Sequence, residues 1–250
     1  MILFLTSSPM GPLDHSREVN GMDEINGFVK NLRRFWKPEA RCLVISAFPG
    51  DDEANDEMQN GMAENVKRGG FSISAFDVWD DRRESYTKES LNSYDVVFLG
   101  GGHVPTQNAF FRRIGLKEMI QDFEGIVIGI SAGTMNSADL VYAQPELDGE
   151  AAYRDYVLFL KGLGLTQANI LPHYQMVKDS WLDGMRLYED ITFGDSCGQE
   201  FLVLPDGSYL MAYGGEELLF GEAWLIRNGR IEKISEEGQS MPYLRSVNGK

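Results

Sequence analysis

The sequence is poor in the residues that staple a small fold, hold a metal or anchor a chain in a membrane. Its 250 residues include two cysteines, Cys42 and Cys197, far apart and in no metal-ligand spacing, so neither a disulfide framework nor a zinc site is expected. No apolar run approaches the ~20 residues of a membrane span. The opening Met1 to Thr6 is short and lacks a basic flank, so it reads as a first strand rather than a signal peptide. Bases are scarce too: 23 Lys and Arg against 38 Asp and Glu leave a net charge of -15, which repels phosphate backbones and anionic lipid. Nucleic acid and membrane are therefore not expected partners, and the expected location is the cytoplasm. Neither glycine-rich nucleotide fingerprint is completed, and no cofactor or metal is expected. The acidic run Asp51 to Glu57 lacks the glycine of a calcium loop and reads instead as the first turn of a helix.

What is present is alternation. Apolar runs at Ile2 to Thr6, Cys42 to Phe48, Phe71 to Val78, Asp95 to Gly100 and Ile126 to Ile130 read as strands buried on both faces. Between them, about Met22 to Trp36, Asp52 to Arg68 and Phe110 to Phe123 read as helices. This alternation predicts an α/β protein, a three-layer α/β/α sandwich with a mostly parallel central sheet, as one domain over 1–250. Further on, a helix follows Ser131, another is expected near Tyr153 to Lys161, Ala168 to Leu171 reads as a strand, and Met185 to Ile191 as a helical stretch. Phe201 to Leu204, Ser208 to Ala212, Ala223 to Ile226 and Arg230 to Ile234, separated by glycine turns, read as antiparallel strands extending one edge of the main sheet.

The chemistry concentrates in Gly129-Ile130-Ser131-Ala132-Gly133, which follows an apolar strand and precedes a helix. That context makes it a nucleophile elbow: the glycines remove Cβ atoms from a sharp turn, and Ser131 is exposed at a helix start beside the N–H of Ala132. An ordinary helix cap at Ser131 would not need both glycines. Upstream, the turn Gly100-Gly101-Gly102 makes Gly101 and Gly102 candidates for a second oxyanion donor.

A serine hydroxyl needs a base, and the chain has three histidines. His15 lies in a polar loop segment, and His103 beside the glycine turn is placed to contact substrate. His173, at the end of the strand Ala168 to Leu171, is the better base, with Tyr174 beside it. The carboxylate that would orient it is Asp206 in Leu204-Pro-Asp-Gly, with Glu146 and Asp148 as second choices.

These elements, in this order, resemble the peptidase E and cyanophycinase family of serine peptidases. The resemblance rests on the glycine turn at Gly100 to Gly102, the elbow at Ser131, Leu171-Pro-His-Tyr174 and Leu204-Pro-Asp-Gly207. It implies the class I glutamine amidotransferase-like (flavodoxin-like) fold over about residues 1–215, with Ser131 as nucleophile, His173 as base and Asp206 as the acid. It also implies an oxyanion hole of Ala132 with Gly101 or Gly102, and cleavage beside acidic residues. Two positions depart from the pattern. His103 stands where peptidase E has asparagine, and the arginine that holds the substrate carboxylate has only Lys178 and Arg186 as approximate counterparts.

The expected function is hydrolysis of a small peptide or amide through an acyl-enzyme on Ser131, as a dipeptidase or isopeptidase, in a monomer or homodimer. The alternatives are an α/β-hydrolase-type esterase, which places its acid between Ser and His, and a binding protein that kept the elbow without turnover.

Overall fold

The computed structural model describes residues 1–244, so the last six residues of the domain expected over 1–250 lie outside it. Five strands, β1 (Ile2–Thr6), β2 (Ala40–Ile45), β3 (Ile73–Trp79), β4 (Val96–Leu99) and β5 (Ile126–Ile130), pair in parallel in the order β1-β5-β4-β2-β3. Alternating residues of these strands point to opposite faces, and both faces are covered. Phe4, Val44, Phe98 and Ile128 meet Phe28 and Leu32 of α1 (Phe28–Arg33) and Met62 and Val66 of α2 (Asp52–Arg68). Leu5, Ile45, Leu99 and Val127 meet the other layer, which is built from α3 (Lys88–Leu91), α4 (Val104–Arg113) and α5 (Leu116–Ile120). Each such fully buried side chain contributes roughly 1.5–3 kcal/mol. The three-layer sandwich follows from these two-faced strands.

The acidic run does start a helix: Asp51 caps α2 by accepting from Ala54 N–H at 3.0 Å, and Asp52 and Glu53 fill its first turn. Other boundaries move. The helix expected from Phe110 begins at Val104, with a proline in its first turn, and breaks at Gly115, whose φ of +67° ends α4 before α5 begins. After α6 (Ala132–Asn136) come β6 (Leu140–Tyr142) and β7 (Phe159–Lys161), so Tyr153 to Lys161 is not a helix. Its end pairs antiparallel with β6, and Phe159 and Leu160 pack on a third core cluster.

The last third departs most from expectation. In chain order it comprises β8 (Asn169–Leu171), α7 (Tyr174–Val177), β9 (Trp181–Leu182), β10 (Met185–Arg186), a π-helical turn at Leu187–Thr192, α8 (Phe193–Asp195) and β11 (Glu200–Val203). It closes with β12 (Tyr209–Tyr213), β13 (Glu216–Phe220), β14 (Ala223–Arg227), β15 (Arg230–Ser235) and β16 (Ser240–Pro242). The expected helical stretch at Met185 to Ile191 is helical from Leu187, as a π-helix that runs on into α8, while Met185 and Arg186 form β10. Among the described residues only β12, β13 and β16 extend the main sheet, beside β1, whereas β11, β14 and β15 join β8 in a separate four-stranded sheet. Pro205-Asp206-Gly207 carries the chain from one sheet to the other, which a two-residue hairpin turn would not do.

Candidate active site

Three adjacent parallel strands, β1, β5 and β4, end at one rim, and their following turns bring Ser7, Ser131 and Gly101 together. Ser131 has φ 50° and ψ -112°, a backbone conformation that costs a non-glycine residue about 1–3 kcal/mol. The flanking glycines are sterically required: a Cβ on Gly129 would lie 2.8 Å from Thr134 Oγ1, and one on Gly133 2.2 Å from the carbonyl oxygen of Leu99. The turn is tied to β1 by Ser131 N–H, which reaches the carbonyls of Thr6 and Ser7 at 3.3 and 3.2 Å. Since α6 has only five residues, the turn offers an anion its first N–H groups rather than the dipole of a long helix. Gly133 N–H is engaged by Gly100 C=O at 3.1 Å, while Ala132 N–H occupies the first helical position, where no intrahelical acceptor exists. Gly101 packs directly against this turn, its Cβ direction 3.4 Å from Ser131 Cβ. Gly102 has φ +151°, and a Cβ there would strike the ring of Phe48.

His173 and Asp206 meet because β8 and β11 are parallel neighbours with Leu171 opposite Val203. His173, at φ 58° between β8 and α7, donates from Nδ1 to Asp206 Oδ1 at 2.7 Å. The Asp206 side chain is fully buried and that of His173 is 15% exposed. Asp206 fills its remaining acceptor positions with Ser7 Oγ at 2.5 Å on Oδ1, and with Leu13 N–H at 2.9 Å and Gln175 Nε2 at 2.7 Å on Oδ2. Burial alone would raise its carboxyl, but the bond and charge of His173, with Ser7 and Leu13, outweigh that and hold it below the ordinary carboxylate value. Neither Glu146 nor Asp148 hydrogen-bonds to His173.

Ser131 and His173 line one cavity of about 310 Å³, without a direct hydrogen bond between them. Val104, Met135, Val177 and Leu187 supply apolar wall, and Gly102 and Glu146 also face it. The remaining substrate-contact candidates lie outside this lining. His103 bonds Thr106 Oγ1 and Glu150 Oε1, each at 2.8 Å. Tyr174 packs on Trp224 and Tyr188, at ring distances of 4.5 and 5.3 Å. Lys178 is exposed. Arg186 is engaged by Asp190 through Nε at 3.0 Å and a terminal nitrogen at 2.7 Å.

Two groups of residues escaped the sequence reading. Ser7 holds all three members of the constellation: its carbonyl accepts from Ser131 N–H, its hydroxyl donates to Asp206, and its Oγ accepts from His173 N–H at 2.8 Å. Its only local signal was a pair of small polar residues at the carboxyl end of a buried strand. The second group is the β9–β10 hairpin, which puts Trp181 and Leu182 on the cavity. Asp183 at its tip accepts from the N–H groups of Gly149, Ala151 and Ala152 at 2.7, 3.0 and 3.2 Å, tying the hairpin to the loop opposite.

Among the described residues no cluster of His, Cys, Asp or Glu is arranged to hold a metal ion, and no helix is long and apolar enough to cross a membrane. Cys42 is buried, its thiol pushed up to about 12 by burial, and Cys197 is exposed; both are free.

A mostly parallel sheet in a three-layer α/β/α sandwich, with a strained serine turn at its strand ends, is the class I glutamine amidotransferase-like fold. Residues 49–217, more than half of the chain, match peptidase family S51, and the protein belongs to that family. It is accordingly a serine-type peptidase resembling peptidase E. Two solved structures share the fold. A peptidase from an acI-B1 Actinobacterium superposes with a TM-score of 0.66 at 14% identity, covering 97% of this chain and 96% of the other. A peptidase E-type protein of Listeria monocytogenes EGD-e gives a TM-score of 0.56 at 16% identity, covering 94% and 98%. No curated protein matches the sequence significantly.

Proposed function

We propose that the protein hydrolyses a peptide or amide bond of a small substrate through an acyl-enzyme on Ser131. The observation that carries this reading is the His173–Asp206 bond of 2.7 Å at the wall of the cavity that Ser131 lines from a strained turn. Asp206 engages Nδ1 and so leaves Nε2 of His173 as the basic nitrogen. That nitrogen takes the Ser131 proton as Oγ attacks the substrate carbonyl, then returns it to the leaving amine. Water, deprotonated in the same way, releases the acid product. The N–H of Ala132, with that of Gly101 or Gly102, faces the oxyanion. Ser7 and Gln175 hold the acid in place. An esterase of the α/β-hydrolase type is disfavoured, because the carboxylate on His173 follows it in the chain.

A fluorophosphonate probe tests this reading. Wild-type protein is expected to gain one phosphonyl group on Ser131 by intact mass and peptide mapping, and Ser131→Ala to gain none. Absence of labelling on the wild type would sink the reading.

A further inference from the structure

The cavity wall carries a charge of the wrong sign for an acidic substrate. Glu146 lines the space that Ser131 and His173 share, and among the described residues no lysine or arginine does. Its carboxylate makes no hydrogen bond or ion pair among the described residues, although its own N–H is bound by Glu150 Oε2 at 2.9 Å. Arg186, which could have neutralised an acidic substrate, is held by Asp190 outside the cavity.

The segment that carries Glu146 is a built one. Pro145 precedes it, and Glu150 draws in the N–H groups of Glu146 and Leu147 while its other oxygen is fixed by His103 Nε2 at 2.8 Å. Asp183 then clamps the N–H groups of Gly149, Ala151 and Ala152 from the hairpin across the cavity. Two carboxylates outside the cavity lining therefore tie down the segment that carries Glu146. His103, which stands next to the glycine turn, acts here on the loop through Glu150. Partial burial raises the Glu146 carboxyl and the neighbouring Glu150 charge adds to this, while His103 and His173 oppose it. Glu146 is exposed at the cavity mouth, and a cation bound beside it would supply the ion-pair partner that it lacks among the described residues. The net charge of -15 adds a long-range pull on cationic ligands and a push on anionic ones.

We infer that Glu146 is a specificity-determining residue that selects substrates bearing an ammonium or guanidinium group near the scissile bond, inverting the acidic preference implied by the family resemblance. The inference rests on the reading of Ser131 as nucleophile. The cation has two possible sources, the free α-amine of the residue that supplies the scissile carbonyl or the side chain of a lysine or arginine there. Either one is compatible with walls of Val104, Met135, Val177 and Leu187, which suit an aliphatic stem.

The test uses the full chain and four coumarylamides: acetyl-Leu, free Leu, acetyl-Lys and acetyl-Asp. Free Leu or acetyl-Lys is expected to exceed acetyl-Leu by about tenfold in kcat/KM, with acetyl-Asp the poorest, as one new charge pair with substrate provides. Which of the two leads identifies the source of the cation. Glu146→Gln should bring that ratio down to about two- to threefold, while Glu146→Asp keeps it. Thermal melts of both variants show that they are folded. Equal rates for acetyl-Leu and both cationic substrates, a preference for acetyl-Asp, or a ratio unchanged in Glu146→Gln would each overturn the inference. Fluorophosphonate labelling of the same wild-type preparation separates the two failures. Labelled protein without cationic preference overturns the role of Glu146 alone, and unlabelled protein overturns the nucleophile assignment on which it rests.

Discussion

Leu171 on β8 stands opposite Val203 on β11, and this one register pairing sets the distance between His173 and Asp206, which are 33 residues apart in the chain. Two residues beyond Leu171 comes the histidine, and three beyond Val203 comes the aspartate. A slip of one residue would turn both side chains to other faces. Leu204 N–H to Leu171 C=O at 2.9 Å and Tyr174 N–H to Leu204 C=O at 3.2 Å continue the ladder past the strand ends, so the pairing is locked on both sides of the site.

Ser7→Ala removes the hydroxyl that donates to Asp206 and accepts from His173 N–H, yet leaves the carbonyl that binds Ser131. Under the proposed mechanism kcat should fall by about 10–100-fold, the cost of losing an orienting partner, with KM little changed. Steady-state kinetics beside the probe-labelling rate checks this; a rise in KM alone would speak against it.

The Asp206 carboxyl lies below its ordinary value of 3.8 in the folded protein, so its ionised form stabilises the fold above that value. The contribution is lost as pH falls through the lowered folded value. Thermal melts below about pH 4 should therefore show a steeper acid loss for wild type than for Asp206→Asn. Near neutral pH the variant should be inactive by about 10⁴-fold, because it presents the wrong histidine tautomer.

Gly133→Ala would place a methyl group 2.2 Å from the Leu99 carbonyl oxygen, a backbone atom that cannot swing aside. A loss of about 1–3 kcal/mol is expected, with the elbow displaced. Chemical denaturation measures the first effect and loss of probe labelling the second. Gly184→Ala, where a Cβ would meet nothing within 4 Å but φ is +79°, serves as a comparison in which only backbone strain acts.

Asp183→Ala removes the carboxylate that accepts from three N–H groups of the opposite loop. Because these bonds are exposed, the global cost should be small, about 1 kcal/mol. Limited proteolysis should instead accelerate within residues 147–156, and an unchanged cleavage rate there would argue that the clamp does not hold the loop.

Legibility in the sequence followed the range of the interactions. Ile126 to Ile130 and Asp52 to Arg68 were found with their observed boundaries, since a buried run and an Asp-capped amphipathic stretch are local signals. Tyr153 to Lys161 was misread because its aromatics serve a cluster and a pairing with β6 that lie elsewhere in the chain. The C-terminal strands were recognised as strands but all placed at the edge of the main sheet, where of the four only Ser208 to Ala212 belongs, since strand propensity says nothing about partners.

The serine turn shows the same division. The sequence alone determined Ser131 between two glycines after a buried strand, and the order of glycine turn, histidine and Asp206 that relates the chain to its family, because steric need and chain order are written locally. Only the tertiary structure decided that Asp206 rather than Glu146 or Asp148 reaches His173, that Ser7 bridges the constellation from 166 and 199 residues away, and that Glu146 rather than Lys178 or Arg186 lines the cavity. Those outcomes depend on parallel pairing and loop closure between distant segments, where register is set by the packing of the whole sheet rather than by any residue's own preference.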